Sequence, residues 1–202
     1  MKLLLVLAVL VGAALAQELC CIPEEFEIGE GILASNDRGG KYESYYERRH
    51  RAYDFPKRKT GWEADIDYMN GTRHRMKLVE DYNAKSFWFI EDDKCSKQQL
   101  RSREPMRCVT INETLIRSYY VGDRQLNIDE WGAPIDHESG EKGFETRSFV
   151  RGSCIPFASS FVGERTQGGS TVRFTHQSHY EDFTKGIQDY DRFFRLPDFC
   201  PK

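Results

Sequence analysis

Past its sixteenth residue the chain contains no apolar run that approaches the ~20 residues of a membrane-spanning helix. Internal repeats, low-complexity tracts and recognisable linkers are missing, which leaves neither a repeat array nor domains strung on flexible spacers. Helical periodicity is scarce as well. Basic charge is not in excess, since 29 Lys and Arg face 32 Asp and Glu. That balance argues against nucleic acid or an anionic membrane as an obligatory partner. Catalytic signatures are lacking too. There is no HExxH, no paired Cys-x-x-Cys and no GxxxxGK phosphate loop; Gly29-Glu30-Gly31 lacks the continuation such a loop requires. Gly152-Ser153-Cys154 is not a nucleophile elbow. The histidines His50, His74, His137, His176 and His179 are read as surface or strand-end residues. The acidic groups Asp65/Asp67, Glu91-Asp92-Asp93 and Asp189/Asp191 are read as solvated faces and turns, without the spacing of an EF-hand. The sequence is that of a non-enzyme.

What is present begins with MKLLLVLAVLVGAALA. Lys2 gives the positive start, Leu3 to Leu10 the apolar stretch, and Ala14-Leu15-Ala16 a cleavage site, so residues 1–16 read as a signal peptide. The mature chain, 17–202, is expected to form a single domain in the secretory pathway and to carry no transmembrane segment. The six cysteines, Cys20, Cys21, Cys95, Cys108, Cys154 and Cys200, then read as up to three disulfides. Asn70-Gly71-Thr72 and Asn112-Glu113-Thr114 are N-glycosylation sequons, which places Asn70 and Asn112 at the surface.

Alternation of apolar and polar residues is widespread and predicts strands. The clearest pair flanks Asn70-Gly71. Trp62, Ala64, Ile66 and Tyr68 alternate with Glu63, Asp65 and Asp67; Met76 and Leu78 alternate with Arg73, Arg75 and Lys77. A two-residue loop would mix apolar and basic residues on one face. A three-residue loop, with Gly71 left-handed in a bulge, sets Asp67 opposite Arg73, Asp65 opposite Arg75, Glu63 opposite Lys77, Ala64 opposite Met76 and Trp62 opposite Leu78. Each charge pair contributes only ~0.2–1 kcal/mol, so the pairs select the register more than they stabilise it.

Further strands are predicted at Phe26–Ala34, Lys41–Tyr46, Arg51–Phe55, Phe87–Glu91, Arg117–Val121, Gln125–Asp129, Gly143–Val150, Phe157–Glu164 and Thr171–His176. Turns fall at 36–40 and at Gly168-Gly169, and a short helix at His179–Lys185. The fold class is all-β dominated: two antiparallel sheets in a sandwich or open barrel, with one or two short helices. Most of the many aromatic side chains are assigned to its core.

From Cys20 to Cys200 the chain resembles the ependymin family, including the mammalian ependymin-related proteins. The resemblance rests on the order and spacing of several pieces. Cys21-Ile22-Pro23-Glu24-Glu25-Phe26 opens it, and Phe89-Ile90 leads to Lys94-Cys95-Ser96-Lys97. The Asn112 sequon, Tyr119-Tyr120-Val121-Gly122 and Leu126-Asn127-Ile128-Asp129-Glu130-Trp131 follow. Cys154-Ile155-Pro156, Phe183-Thr184-Lys185-Gly186-Ile187-Gln188-Asp189, Phe193, Pro197 and Cys200 complete it.

The resemblance implies a secreted glycoprotein of extracellular fluid, matrix adhesion and calcium, with delivery to the lysosomal lumen as an alternative destination. It implies a fold like that of bacterial lipoprotein carriers, a deep hydrophobic pocket for lipid or fatty acid, and often a homodimer. It further implies disulfides from the N-terminal cysteine to Cys154 and from Cys95 to Cys200. Adjacent Cys20 and Cys21 depart from the family pattern and leave two pairings open; Cys21–Cys154 with Cys20–Cys108 is preferred. The leading functional expectation is a carrier of a hydrophobic ligand. The alternative is a calcium-dependent adhesion protein with no dedicated ligand. The residues taken for the pocket, from apolar strand faces, are Trp62, Ile66, Met76, Leu78, Phe87, Phe89, Phe149, Phe161 and Phe174.

Overall fold

The computed structural model describes residues 20–100, 104–136, 141–167 and 170–202. The leader 1–16, the turn at Gly168-Gly169 and His137 lie outside them. Eleven antiparallel strands follow one another: β1 (Glu25–Arg38), β2 (Lys41–Asp54), β3 (Lys59–Tyr68), β4 (Arg73–Asp81), β5 (Ser86–Glu91), β6 (Lys94–Gln99), β7 (Thr114–Val121), β8 (Leu126–Asp136), β9 (Glu141–Val150), β10 (Pro156–Gln167) and β11 (Ser170–Lys185). One five-residue helix, α1 (Tyr190–Phe194), follows.

The strands are not split between two sheets. They form one hydrogen-bonded sheet in the order β6-β5-β4-β3-β2-β1-β11-β10-β9-β8-β7. The two expected layers are its two halves, joined by the pairing of the first strand with the last, from Phe26↔Lys185 to Arg38↔Val172. At ~4.8 Å between neighbouring strands, β2 and β8 would stand ~24 Å apart in a flat sheet. Arg51 of β2 and Ile135 of β8 line one cavity, so the sheet is curled into an open half-barrel. Its concave face carries Phe26, Ile28, Glu30 and Ile32 of β1 and Arg49, Arg51 and Tyr53 of β2, each strand contributing alternate residues.

The Asn70-Gly71 hairpin has the three-residue-loop register, with Asp67↔Arg73, Asp65↔Arg75, Glu63↔Lys77, Ala64↔Met76 and Trp62↔Leu78. Gly71 has φ +84°, a conformation open to glycine without steric cost, and its N–H donates to the Tyr68 carbonyl. Elsewhere the boundaries move. Lys41–Tyr46 and Arg51–Asp54 belong to one strand, β2, because the charged residues between them are held by β1 and β3, and Phe55 falls in the turn that follows. β6 is an edge strand without an apolar pattern; it pairs with β5, and its Lys97 ammonium lies 5.1 Å from the Trp88 ring opposite. The helix predicted at His179–Lys185 is strand. Its backbone is taken up by β1, with Tyr180 opposite Glu30 and Glu181 opposite Gly29, and Phe183 stacks on Phe26 at 5.5 Å. Pairing along the whole of β1 overrides the local acidic cue.

The helix sits further on, at 190–194, where Asp189 caps it by accepting from the Arg192 N–H. This C-terminal segment covers the outer face of β2 to β5. Phe193, fully buried, packs with Ala52, Val79, Trp88 and Phe194. Gly61 permits the approach, since a Cβ there would lie 2.6 Å from the Phe193 carbonyl oxygen. Cys95–Cys200 and a hydrogen bond from Trp88 Nε1 to the Pro201 carbonyl fasten the end.

The other two disulfides reverse the preferred pairing. Cys21 joins Cys108 and Cys20 joins Cys154. The reason is strand alternation. Residues 20–22 run antiparallel to 107–109, with Ile22 N–H donating to Arg107 O and Val109 N–H to Cys20 O. Cys21 therefore faces Cys108 directly in a β-bridge. Its neighbour points the other way, toward the β9–β10 turn where Cys154 lies.

Candidate ligand cavity

The curled sheet encloses a cavity of about 470 Å³ between β1, β2 and β11 on one side and β8, β9 and β10 on the other. That is within the ~300–1,000 Å³ of small-molecule sites. Residues 104–106, on the connection from one edge strand to the other, cross its mouth together with Ile22. The Cys21–Cys108 bridge fixes that crossing, and Val109, Trp131 and Phe149 form a small core behind it.

One end of the cavity is apolar. Phe26 is 1% exposed and stacks on Tyr53 at 4.6 Å, with Phe55 beside both. Ile28, Phe149, Pro156 and Met106 complete that end. A polar belt crosses the wall next to it. Strand register aligns Arg49 with Glu30, Glu30 with Tyr180, Ser178 with Ser159, and Ser159 with Arg147.

Most of the belt is internally paired, as burial requires. Arg49 donates to Glu47 at 2.7 Å and to Glu30 at 3.4 Å, and its guanidinium lies 4.5 Å above the Trp62 ring. Arg147 grips the buried Glu113 with both Nε and Nη2, while Glu113 also accepts from the Thr110 N–H. Burial alone would raise the Glu30 carboxyl, but Arg51 and Arg49 outweigh it and hold the group below the usual carboxylate range. Burial lowers the His176 imidazole, against the pull of Glu30, and its Nε2 meets Ser178 Oγ at 2.8 Å. Burial raises the Tyr53 and Tyr180 phenols, so both are neutral donors. A largely neutralised polar belt beside an apolar end can shelter an apolar group and offer hydrogen bonds to a polar one.

The residues expected in a pocket are divided. Phe149 and Phe161 lie in the cavity wall. Phe174 stacks on Phe161 at 5.0 Å but lines a separate depression, among Ser35, Asp37, Arg173 and Thr175. Trp62, Ile66, Met76, Leu78, Phe87 and Phe89 share the concave face, on β3 to β5, beyond Arg49 and outside the cavity. Sequence reasoning missed the belt. Arg49 and Arg51 sit in a charged run that reads as solvated; their acid partners are Glu47, two residues before Arg49 in β2, and Glu30 in β1.

The acidic groups singled out in the sequence form no carboxylate cluster for calcium among the described residues, where no three His, Cys, Asp or Glu side chains converge on a common point. Asp65 and Asp67 face Arg73, Glu91 accepts from His74 Nδ1 at 2.7 Å, and Asp189 caps α1. No helix among the described residues is long and apolar enough to cross a membrane.

Comparison with known proteins gives one family model, Ependymin, which matches residues 70–200. The development-specific protein LVN1.2 of Lytechinus variegatus is 31% identical over 159 residues, 75% of this chain and 84% of the relative. Among solved structures, a DUF1329 family protein from Desulfovibrio piger aligns at TM-score 0.38 and 8% identity over 92% of each chain. A LolA superfamily protein from Nitrosomonas europaea aligns at TM-score 0.33 and 9% identity, over 86% of this chain and 91% of its own.

Proposed function

The chain belongs to the ependymin family, and on that premise we propose that it is a secreted, non-enzymatic glycoprotein that carries a hydrophobic ligand inside the curled sheet. The observation that carries this reading is the cavity of about 470 Å³ with an apolar end and a largely paired polar belt. At ~30 Å³ for each water, it holds on the order of fifteen waters, whose displacement by an acyl chain is the driving force. Each Å² of apolar surface removed from water contributes ~25 cal/mol.

Export is supported by the leader-like first sixteen residues and by three disulfides, which belong to an oxidising compartment. Catalysis is not part of the reading. The buried acids of the belt are held by arginines, and paired charges of that kind are structural ion pairs before they are proton donors.

The test is extraction. Protein secreted from eukaryotic cells and purified without detergent is expected to release a lipid-like molecule into organic solvent, identified by mass spectrometry. After delipidation it is expected to bind a fluorescent acyl probe at about one molecule per chain. Empty protein that binds no acyl probe would defeat the proposal.

A further inference from the structure

Resting on the carrier reading, we propose that Arg51 determines specificity by anchoring a carboxylate head group at the polar belt, with the ligand's tail running into the apolar end. The three belt arginines are not equivalent. Arg49 is committed to Glu47 and Glu30, and Arg147 to Glu113. Arg51 is not. Its Nη1 donates to the Tyr53 hydroxyl at 2.6 Å, its nearest acid oxygen, on Glu30, stands 3.9 Å away, and its buried Nε makes no hydrogen bond among the described residues.

A guanidinium offers five N–H donors in a planar fork that matches a carboxylate. Arg51 lines the cavity with that fork incompletely used. Tyr180 and Ser159 share a hydrogen bond of 3.1 Å in the same wall, which leaves one of their two hydroxyls as a further donor. The direction of the tail follows from register. Arg51 pairs with Ile28, and Tyr53, the next residue of β2 on this face, stacks on Phe26, with Phe55 of the following turn beside both. A head at Arg51 therefore lays its chain toward Phe26, Phe149 and Met106. The lining acids Glu30, Glu141 and Glu145 favour a singly charged head over a phosphate, because each extra negative charge meets like charge at short range.

The experiment compares dodecanoate, dodecanol and acetate on delipidated full-length secreted protein by calorimetry. Dodecanoate is expected to bind about tenfold or more tighter than dodecanol, and acetate at millimolar concentration to leave it undisplaced. In R51Q the acid is expected to fall to within about threefold of the alcohol. Equal affinities in the native protein, or an unchanged preference in R51Q, overturn the assignment of Arg51 while leaving the carrier reading intact. Failure of both long-chain probes overturns both. Should R51Q not fold, dodecanoate carrying ¹³C at the carboxyl decides on the native protein. Its bound carboxyl is expected to titrate below the free acid, and titration at or above the free value rules the anchor out.

Discussion

Phe193→Ala tests the clamp that holds the C-terminal segment on the outside of the sheet. The phenyl ring is 0% exposed and lies edge-on to His50 at 5.3 Å, among Ala52, Val79, Trp88 and Phe194. Collapse of the hole is opposed on both sides. The sheet below is fixed by its ladders, and the segment above is pinned by Cys95–Cys200, by the Lys77 ammonium on the Arg192 and Arg195 carbonyls, and by Glu27 accepting from the Gln188 and Asp189 N–H groups. The full cost of a buried Phe→Ala change is thus expected, ~3–5 kcal/mol. Against a typical total of ~5–15 kcal/mol this is a large fraction. At ~2–4 °C for each kcal/mol in a protein of this size, the midpoint falls by about 6–20 °C. Urea unfolding with disulfides intact, read by tryptophan fluorescence and by circular dichroism, measures it. Trp88 in the same cluster reports locally. Phe144→Ala, at a position 46% exposed, is the control and is expected to cost no more than ~0.5 kcal/mol. A Phe193→Ala protein within ~1 kcal/mol of the parent, unfolding as cooperatively, would refute the clamp.

Two further outcomes are expected. Burial holds the His176 imidazole, and less completely that of His50, below the ordinary value of 6.5, so the folded protein binds fewer protons there than the unfolded chain. Stability from these groups is therefore complete above about pH 6.5 and drains as the pH falls below it until the folded rings themselves titrate; His176→Gln is expected to flatten the slope of unfolding free energy between about pH 5 and 7, and an unchanged slope would contradict the burial argument. Asn70, at the exposed hairpin tip, and Asn112, exposed before the buried Glu113, are each expected to carry a glycan, so that N70Q and N112Q each remove one step of mass from the secreted protein; a native mass equal to that of the bare chain speaks against both.

Where local residues alone decide a structure, the sequence reveals it. The β3–β4 register is legible because Glu63, Asp65 and Asp67 have basic partners at the right period and Gly71 permits the bulge. The all-β class is legible for the same reason, being a sum of local alternations. Where a distant strand decides, the signal fails. Residues 179–185 carry acids that suit the start of a helix, yet their backbone is claimed by β1, some 150 residues earlier in the chain. β6, with Lys94, Lys97 and three polar side chains around its cysteine, has nothing apolar to announce it. The cavity is the extreme case. Arg49 and Arg51 are indistinguishable from solvated residues until Glu30 and Glu47 are brought beside them. Trp62, Leu78 and Phe89, apolar and correctly alternating, lie on the same face but outside the hollow, because where a sheet bends is not written in any one strand.

The strand order also dictates a schedule for biosynthesis. Strands β1 to β6 and β7 to β11 are two meanders, each zipped between neighbours in the chain, and only the seam of β1 with β11 links first to last. During synthesis the amino-terminal meander has all its internal partners early, but the hydrogen-bonding rim of β1 stays bare until β11, the final strand, has emerged. Folding should wait on that long-range closure, and the nascent chain is most exposed to mispairing with its own copies in the interval just before it.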